Sequence, residues 1–266
     1  MYKKFIRIWS RVTKRQKFII IVIALSLVLF ISESLFSKSG IFIAFFLSFL
    51  TSIFLFWAVR EDLKENFFPQ VFILPFFYSL SFALFYFLVP ARFLTRLSIT
   101  SLYAFGLYSL LLTQNIFIVS SIRTIALLAS ARTVSFIITL LSYFFMCNVI
   151  FSLHLNIFLT LISVLSLSFP LILQSMWTYT LSNKIFSDIT WVSFLSLCLA
   201  ELALVLWFWP TIPTIIGLFL SGFFYITVGL SHVWVDKRLF KSIMWEYIWV
   251  AVIVFSVFAF FSFKSS

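Results

Sequence analysis

The feature that most constrains this chain is a series of apolar runs separated by short stretches that carry most of the charges. Each run is about 20 residues long, the length of helix that crosses the hydrocarbon core of a bilayer. Inside a bilayer no water reaches the backbone, so such runs must form helices that satisfy their own peptide groups. Because 63% of the residues are hydrophobic and only 10% are charged, the chain does not have the composition of a soluble protein.

The runs predict an all-α fold, a polytopic transmembrane helix bundle of nine spans. We expect a single transmembrane domain over residues 18–266, because no loop is long enough to hold a soluble domain. The predicted spans are Phe18–Phe36, Gly40–Val59, Phe67–Val89, Leu97–Ser120, Thr133–Leu153, Ile157–Thr180, Ile189–Trp209, Thr214–Trp234 and Ile243–Phe263.

Residues 1–17 form a basic segment ahead of the first span. Wound as a helix, this segment places its aromatic and aliphatic side chains on one side and its cations on the other. The pattern predicts an interfacial helix that binds anionic lipid. Two other interpretations are a topology signal alone and the start of a cleaved signal peptide. The predicted membrane-surface cations are Lys3, Lys4, Arg7, Arg11, Lys14 and Arg15.

The distribution of Lys and Arg predicts the orientation. With the amino end in the cytoplasm, nine spans place most of the cations on the cytoplasmic side and the carboxyl end outside, as the positive-inside rule requires. We therefore predict a multi-pass protein of a bacterial-type cell membrane. The net charge of +11 is largely explained by this topology, so nucleic acid is not an expected partner. The lipid bilayer is an expected partner, and partner membrane subunits are possible.

Glu201 is the carboxylate placed deepest in a predicted span. It lies near the middle of the seventh, where a charged side chain costs about 2.5–3.5 kcal/mol. We expect it to face protein or water. It is either a proton or cation site, or a structural group hydrogen-bonded to a neighbouring helix.

Polar residues at steps of three and four form a stripe along the sixth span, with Pro170 at its centre. Its members Ser163, Ser166 and Gln174 are predicted to line a polar interior with Glu201. Two pairs of arginines are candidates for a phosphate or lipid headgroup, although interfacial snorkelling and topology also explain them. They are Arg92 with Arg96, at helical i, i+4 spacing, and Arg123 with Arg132.

No metal site, cofactor or catalytic residue is predicted. Cys147 and Cys198 lie within apolar runs, and neither histidine has ligands at metal-binding spacing. Catalysis is the least favoured function, because the aspartates are scattered singly over three loops. The proximity of Asp236 and Arg238 to His232 in the sequence keeps that hypothesis open.

Three functions therefore stand. The first is a small-solute or proton-coupled permease that uses Glu201 and the polar stripe. The second is a non-catalytic assembly or scaffold subunit held by apolar faces and small residues. The third is a membrane enzyme acting on lipid or polyprenyl substrates. Transport is the first choice by a narrow margin, and the substrate does not follow from the sequence.

Overall fold

The structure is a computed structural model that describes residues 13–36, 40–60, 62–64, 68–89, 92–120, 126–181 and 189–265. Over these residues the chain forms nine long α-helices, joined by turns and two short 3-10 segments, and no strand. The helices are α1 (Lys14–Phe36), α2 (Gly40–Val59), α3 (Ile73–Leu88), α4 (Phe93–Ser120), α5 (Leu128–Ser152), α6 (Ile157–Thr180), α7 (Ile189–Trp207), α8 (Pro213–Val235) and α9 (Lys241–Ser265).

These bounds confirm the predicted all-α bundle. All nine described helices are long and apolar enough to cross a membrane, α3 together with the 3-10 turn before it. Three helices start four or five residues earlier than predicted: α1 begins at Lys14, α4 at Phe93 and α5 at Leu128. Each thereby takes in an arginine that the prediction left outside, because a long cationic side chain can reach the surface while its backbone stays helical.

The amino-terminal segment is described only in part. Of its predicted surface cations, Lys3, Lys4, Arg7 and Arg11 lie outside the described residues. Lys14 and Arg15 belong to the first turn of α1, which continues without a break into the first span. Lys14 Nζ lies 2.7 Å from a carboxylate oxygen of Asp62, in the turn after α2. The ion pair therefore ties the start of α1 to the end of α2.

Side-chain contacts define two ends of the bundle. At the proximal end, Arg132 near the start of α5 contacts the last turn of α6, and Trp191 of α7 donates to Ser231 of α8. At the distal end, Trp207 of α7 donates to the carbonyl of Leu155, between α5 and α6. The helices from α5 to α8 therefore run alternately up and down, as short connections require.

The core lies where α3 and α5 pack against their neighbours α2, α4, α6 and α8. A chain of hydroxyl groups crosses it: Thr51 and Ser79 are 2.8 Å apart, and Ser79 and the Tyr103 hydroxyl are 3.0 Å apart. All three residues are buried, on α2, α3 and α4. Interhelical hydrogen bonds of this kind hold helices together where lipid gives no hydrophobic driving force.

Glycines of α8 allow close packing on two sides. A Cβ added at Gly217 would lie 3.3 Å from backbone atoms of α5. At Gly222 and Gly229 it would lie 2.7 Å from Val254 and Tyr247 of α9. Small residues at such seams let helices approach closely in membranes, and the eighth span has this structural role.

Candidate functional site

Glu201 lies on the outward face of α7. Its side chain is exposed, as are those of Phe194, Leu197 and Val205 on the same face. The inward face of the helix is a separate stripe made of leucine, valine, alanine and serine. Its members are Val192, Leu195, Ser196, Leu199, Ala200, Ala203 and Leu206. In the isolated chain, Glu201 therefore faces away from the bundle interior.

The predicted polar stripe of α6 divides between two environments. Ser166 is exposed and donates to the carbonyl of Ser163, one turn earlier. Ser163 is half-buried, while Gln174 is completely buried nearer the proximal end. The structure does not gather the two serines, Gln174 and Glu201 around one cavity.

The four predicted headgroup arginines are also dispersed. Arg92 is exposed just before α4, and Arg96 is half-buried within it at the distal end. Arg123 lies outside the described residues. Arg132 stands at the proximal end, near the start of α5, and is the one that contributes to a site.

Arg132 closes the carboxyl end of α6. Its Nε donates to the Thr178 carbonyl at 3.0 Å and its Nη2 to the Tyr179 carbonyl at 2.9 Å. The last carbonyls of a helix lack intrahelical donors, and Leu181 ends this one in a left-handed conformation with φ 45°. The guanidinium also lies 4.5 Å from the centre of the Tyr179 ring. A fixed cation therefore borders the proximal surface.

His232 lies beside this arginine in a polar and aromatic cluster. Its ring stacks on Tyr179, with the ring centres 4.0 Å apart, and Phe136 of α5 meets it edge-on at 5.0 Å. Its Nε2 is 3.0 Å from the Ser175 hydroxyl of α6. These three contacts hold the imidazole in one orientation. The side chain is buried, with 4% of its surface exposed.

A cavity of about 380 Å³ opens in front of this cluster. Its polar wall is formed by Tyr179 of α6, by His232 of α8, and by Asp236 and Arg238 just after α8. Its apolar wall comes mainly from α5. One member of that wall, Ile137, is 58% exposed on the outside of the bundle. The cavity therefore reaches both the proximal surface and the outer, lipid-facing side.

Two tyrosines complete the cavity on the side of α9. Tyr225 of α8 stacks on Phe136 at 5.8 Å and lies 5.5 Å from Tyr247 of α9. Gly229 leaves the room that the Tyr247 ring occupies. The glycine seam between α8 and α9 thus shapes the cavity.

The cavity combines hydrogen-bonding groups and charges at one end with an apolar surface at the other. Such a lining suits a molecule that has a polar head and a hydrocarbon part. Within the described part of the chain, no three His, Cys, Asp or Glu residues are placed to hold a metal ion.

The sequence indicated Arg132 as a headgroup candidate and, apart from it, Asp236 and Arg238 close to His232. The sequence prediction missed Ser175 and the tyrosines, which come from three different helices. Two patterns in the sequence could have indicated them. Ser175 and Tyr179 continue the polar positions of the sixth span to its end, and His232 and Asp236 have the i, i+4 spacing that puts two residues on one face of a helix.

The fold and this site define a multi-pass membrane protein, an all-helical bundle with a polar and aromatic cavity at one end. The family described as "Protein of unknown function (DUF5656)" matches residues 19–261. The chain belongs to this family, and the match reaches from within α1 to within α9 of the described helices. No curated protein and no solved structure matches the chain.

Proposed function

We propose that this membrane protein binds an amphiphile with a phosphate headgroup in the proximal cavity. The observation that carries the proposal is the two-sided lining. Arg238, His232 and Tyr179 lie at the polar side, and α5 supplies an apolar wall that ends at the exposed Ile137. A headgroup could lie at the polar side while its chain stays in contact with lipid.

Charge favours an anionic head over a cationic one. Among the described lining residues the charged side chains are Arg238 and Asp236, and a second cation, Arg132, stands beside the cavity. Arginine suits phosphate because its planar fork donates paired hydrogen bonds. The Arg132 fork already serves the end of α6, so Arg238 is the cation available to make most of the contact.

The test measures binding of a short-chain phosphatidic acid to the full-length protein in neutral detergent, with the matching phosphatidylcholine as reference. We expect phosphatidic acid to raise the melting temperature and Arg238→Gln to weaken its binding by about tenfold or more, since a charge-assisted hydrogen bond contributes about 1.5–3 kcal/mol. Lys241→Gln removes an exposed cation at the same end, outside the cavity. Equal losses in both variants would mean surface attraction and refute the site.

Transport remains a second candidate function, and the burial of Gln174 favours it. Its side-chain nitrogen and oxygen are both buried, and neither has a hydrogen-bond partner among the described residues. Such an amide suits a polar solute or water inside the bundle. The check is uptake by proteoliposomes across a panel of small solutes, with Gln174→Leu as the variant. Uptake that survives this change would contradict a role for Gln174.

The scaffold hypothesis is favoured by Glu201. A carboxyl group near the middle of an apolar helix and turned outward is costly in lipid, so a partner helix with a polar or cationic residue would lower its energy. Crosslinking of Glu201→Cys to a co-purified membrane subunit tests this. Recovery of the chain alone from native membranes, without crosslinks, would contradict it.

A further inference from the structure

We propose that Gln70, Gln114 and Gln174 line a buried chamber that holds ordered water between α4, α6 and the turn before α3. The proposal depends on neither the headgroup site nor transport. The three glutamines are 3%, 0% and 0% exposed. They lie apart from the proximal cavity, whose lining includes none of them.

An aromatic cluster joins the three segments that carry the glutamines. The Trp177 ring of α6 lies 5.4 Å from Phe68 and 6.3 Å from Phe117 of α4, measured between ring centres. Gln70 follows Phe68 by two residues, in a 3-10 turn that contacts both α4 and α6. Gln114 and Gln174 each precede an aromatic member of the cluster by three residues, nearly one helical turn.

The two helical amides also lie at the same depth. Gln114 and Gln174 each stand six residues before the proximal end of their helix, at Ser120 and Thr180. At 1.5 Å per residue, both lie about 9 Å inside that end. The two amides therefore lie at about the same depth in their helices, each nearly one turn before an aromatic member of the cluster.

Unpaired polar atoms of the glutamines and of Trp177 indicate the occupant. Both side-chain atoms of Gln114 and of Gln174, Oε1 of Gln70 and Nε1 of Trp177 are buried without a hydrogen-bond partner among the described residues. The group contains donors and acceptors together, and no charged side chain belongs to it. Buried polar atoms in folded proteins are nearly always paired with protein or with ordered water. Water satisfies donors and acceptors at once, so it is the molecule that fits.

The experiment uses the wild-type protein, so it does not depend on a variant that folds. X-ray pulses generate hydroxyl radicals from bound as well as bulk water, and mass spectrometry then measures oxidation at each aromatic residue. Phe117 lies in the chamber cluster, whereas Phe82 and Phe224 are equally buried, at 0% exposure, in other parts of the core. We expect Phe117 to be oxidised several-fold faster than both controls. Equal rates at all three would overturn the proposal.

A double variant provides the second measurement. Gln114→Leu with Gln174→Leu removes the amides and keeps apolar volume. If the chamber holds water, the double variant removes the hydrogen-bonding groups that bind this water. Both the melting temperature and the oxidation rate at Phe117 should then fall. A rise in melting temperature would show that the amides were dry and unsatisfied, which also overturns the proposal.

Discussion

At the scale of single residues, a polar side chain in an apolar helix has several ways to be satisfied. Serine and threonine can donate to a carbonyl of the preceding turn of their own helix. Ser166 does this with the Ser163 carbonyl, and Ser48 does it with the Ala44 carbonyl. A polar stripe therefore does not imply a polar interior. A glutamine side chain is longer, and its amide has both a carbonyl and an NH2 group to pair. A buried Gln174 is therefore a stronger indication of a polar interior than the serines of the same helix.

Arg132 offers a clear residue-scale prediction. Arg132→Gln removes a charged fork that serves the carbonyls of Thr178 and Tyr179, so we expect the free energy of unfolding to fall by about 1–3 kcal/mol. Arg132→Lys keeps the charge but not the fork, so its free energy of unfolding should lie between those of Arg132→Gln and the wild type. Thermal unfolding in detergent measures both. Lys241→Gln is the control. An equal loss of stability in this variant would contradict a specific capping role of Arg132 at the end of α6.

For Glu201 the prediction is almost no change in stability. Glu201→Gln keeps the shape of an outward side chain, so unfolding of the purified chain in detergent should change by less than about 0.5 kcal/mol. The measurement is the same melting curve. A loss of more than about 2 kcal/mol would mean that the carboxyl is paired inside the bundle, as truncation of a buried ionic partner would show.

At the scale of helices, the seam between α8 and α9 can be tested by size. Gly229→Ala places a methyl group against the Tyr247 ring, and we expect a loss of about 1–3 kcal/mol from overpacking, with poorer binding in the adjacent cavity. Adding Tyr247→Leu should restore part of the loss, because the two changes share one contact. Leu218→Ala, at an exposed position of the same helix, is the control. Strict additivity of the two changes would contradict the seam.

The helices themselves were largely predictable, whereas their facing surfaces were not. A run of about 20 apolar residues predicts that a helix is present and approximately where it ends. It does not fix which side packs, because lipid and protein interior are equally apolar. In α7 the cost of the Glu201 charge suggested an inward face, yet the small residues Ser196, Ala200 and Ala203 mark the packed side. The cavity was missed for a related reason, because its tyrosines come from separate helices.

At the scale of the whole molecule, the alternating helices place Arg60 and Arg238 at the proximal end and Arg92 at the distal end. All three side chains are exposed and lie outside the helices: Arg60 follows α2, Arg92 precedes α4 and Arg238 follows α8. The excess of Lys and Arg at the proximal end predicts that this end faces the cytoplasm. The headgroup cavity would then open to the cytoplasmic leaflet, where anionic lipid concentrates.

Cysteine labelling tests orientation and span number together. Single cysteines at these three positions, with Cys147 and Cys198 replaced, should react differently with a membrane-impermeant maleimide. Arg92→Cys should react in intact cells, while Arg60→Cys and Arg238→Cys should react only after permeabilisation. Reversal at all three would overturn the orientation and leave the bundle intact, since the helices pack the same way in either direction. Reversal at Arg238→Cys alone would mean that one of the five helices from α4 to α8 does not cross, which would contradict nine spans.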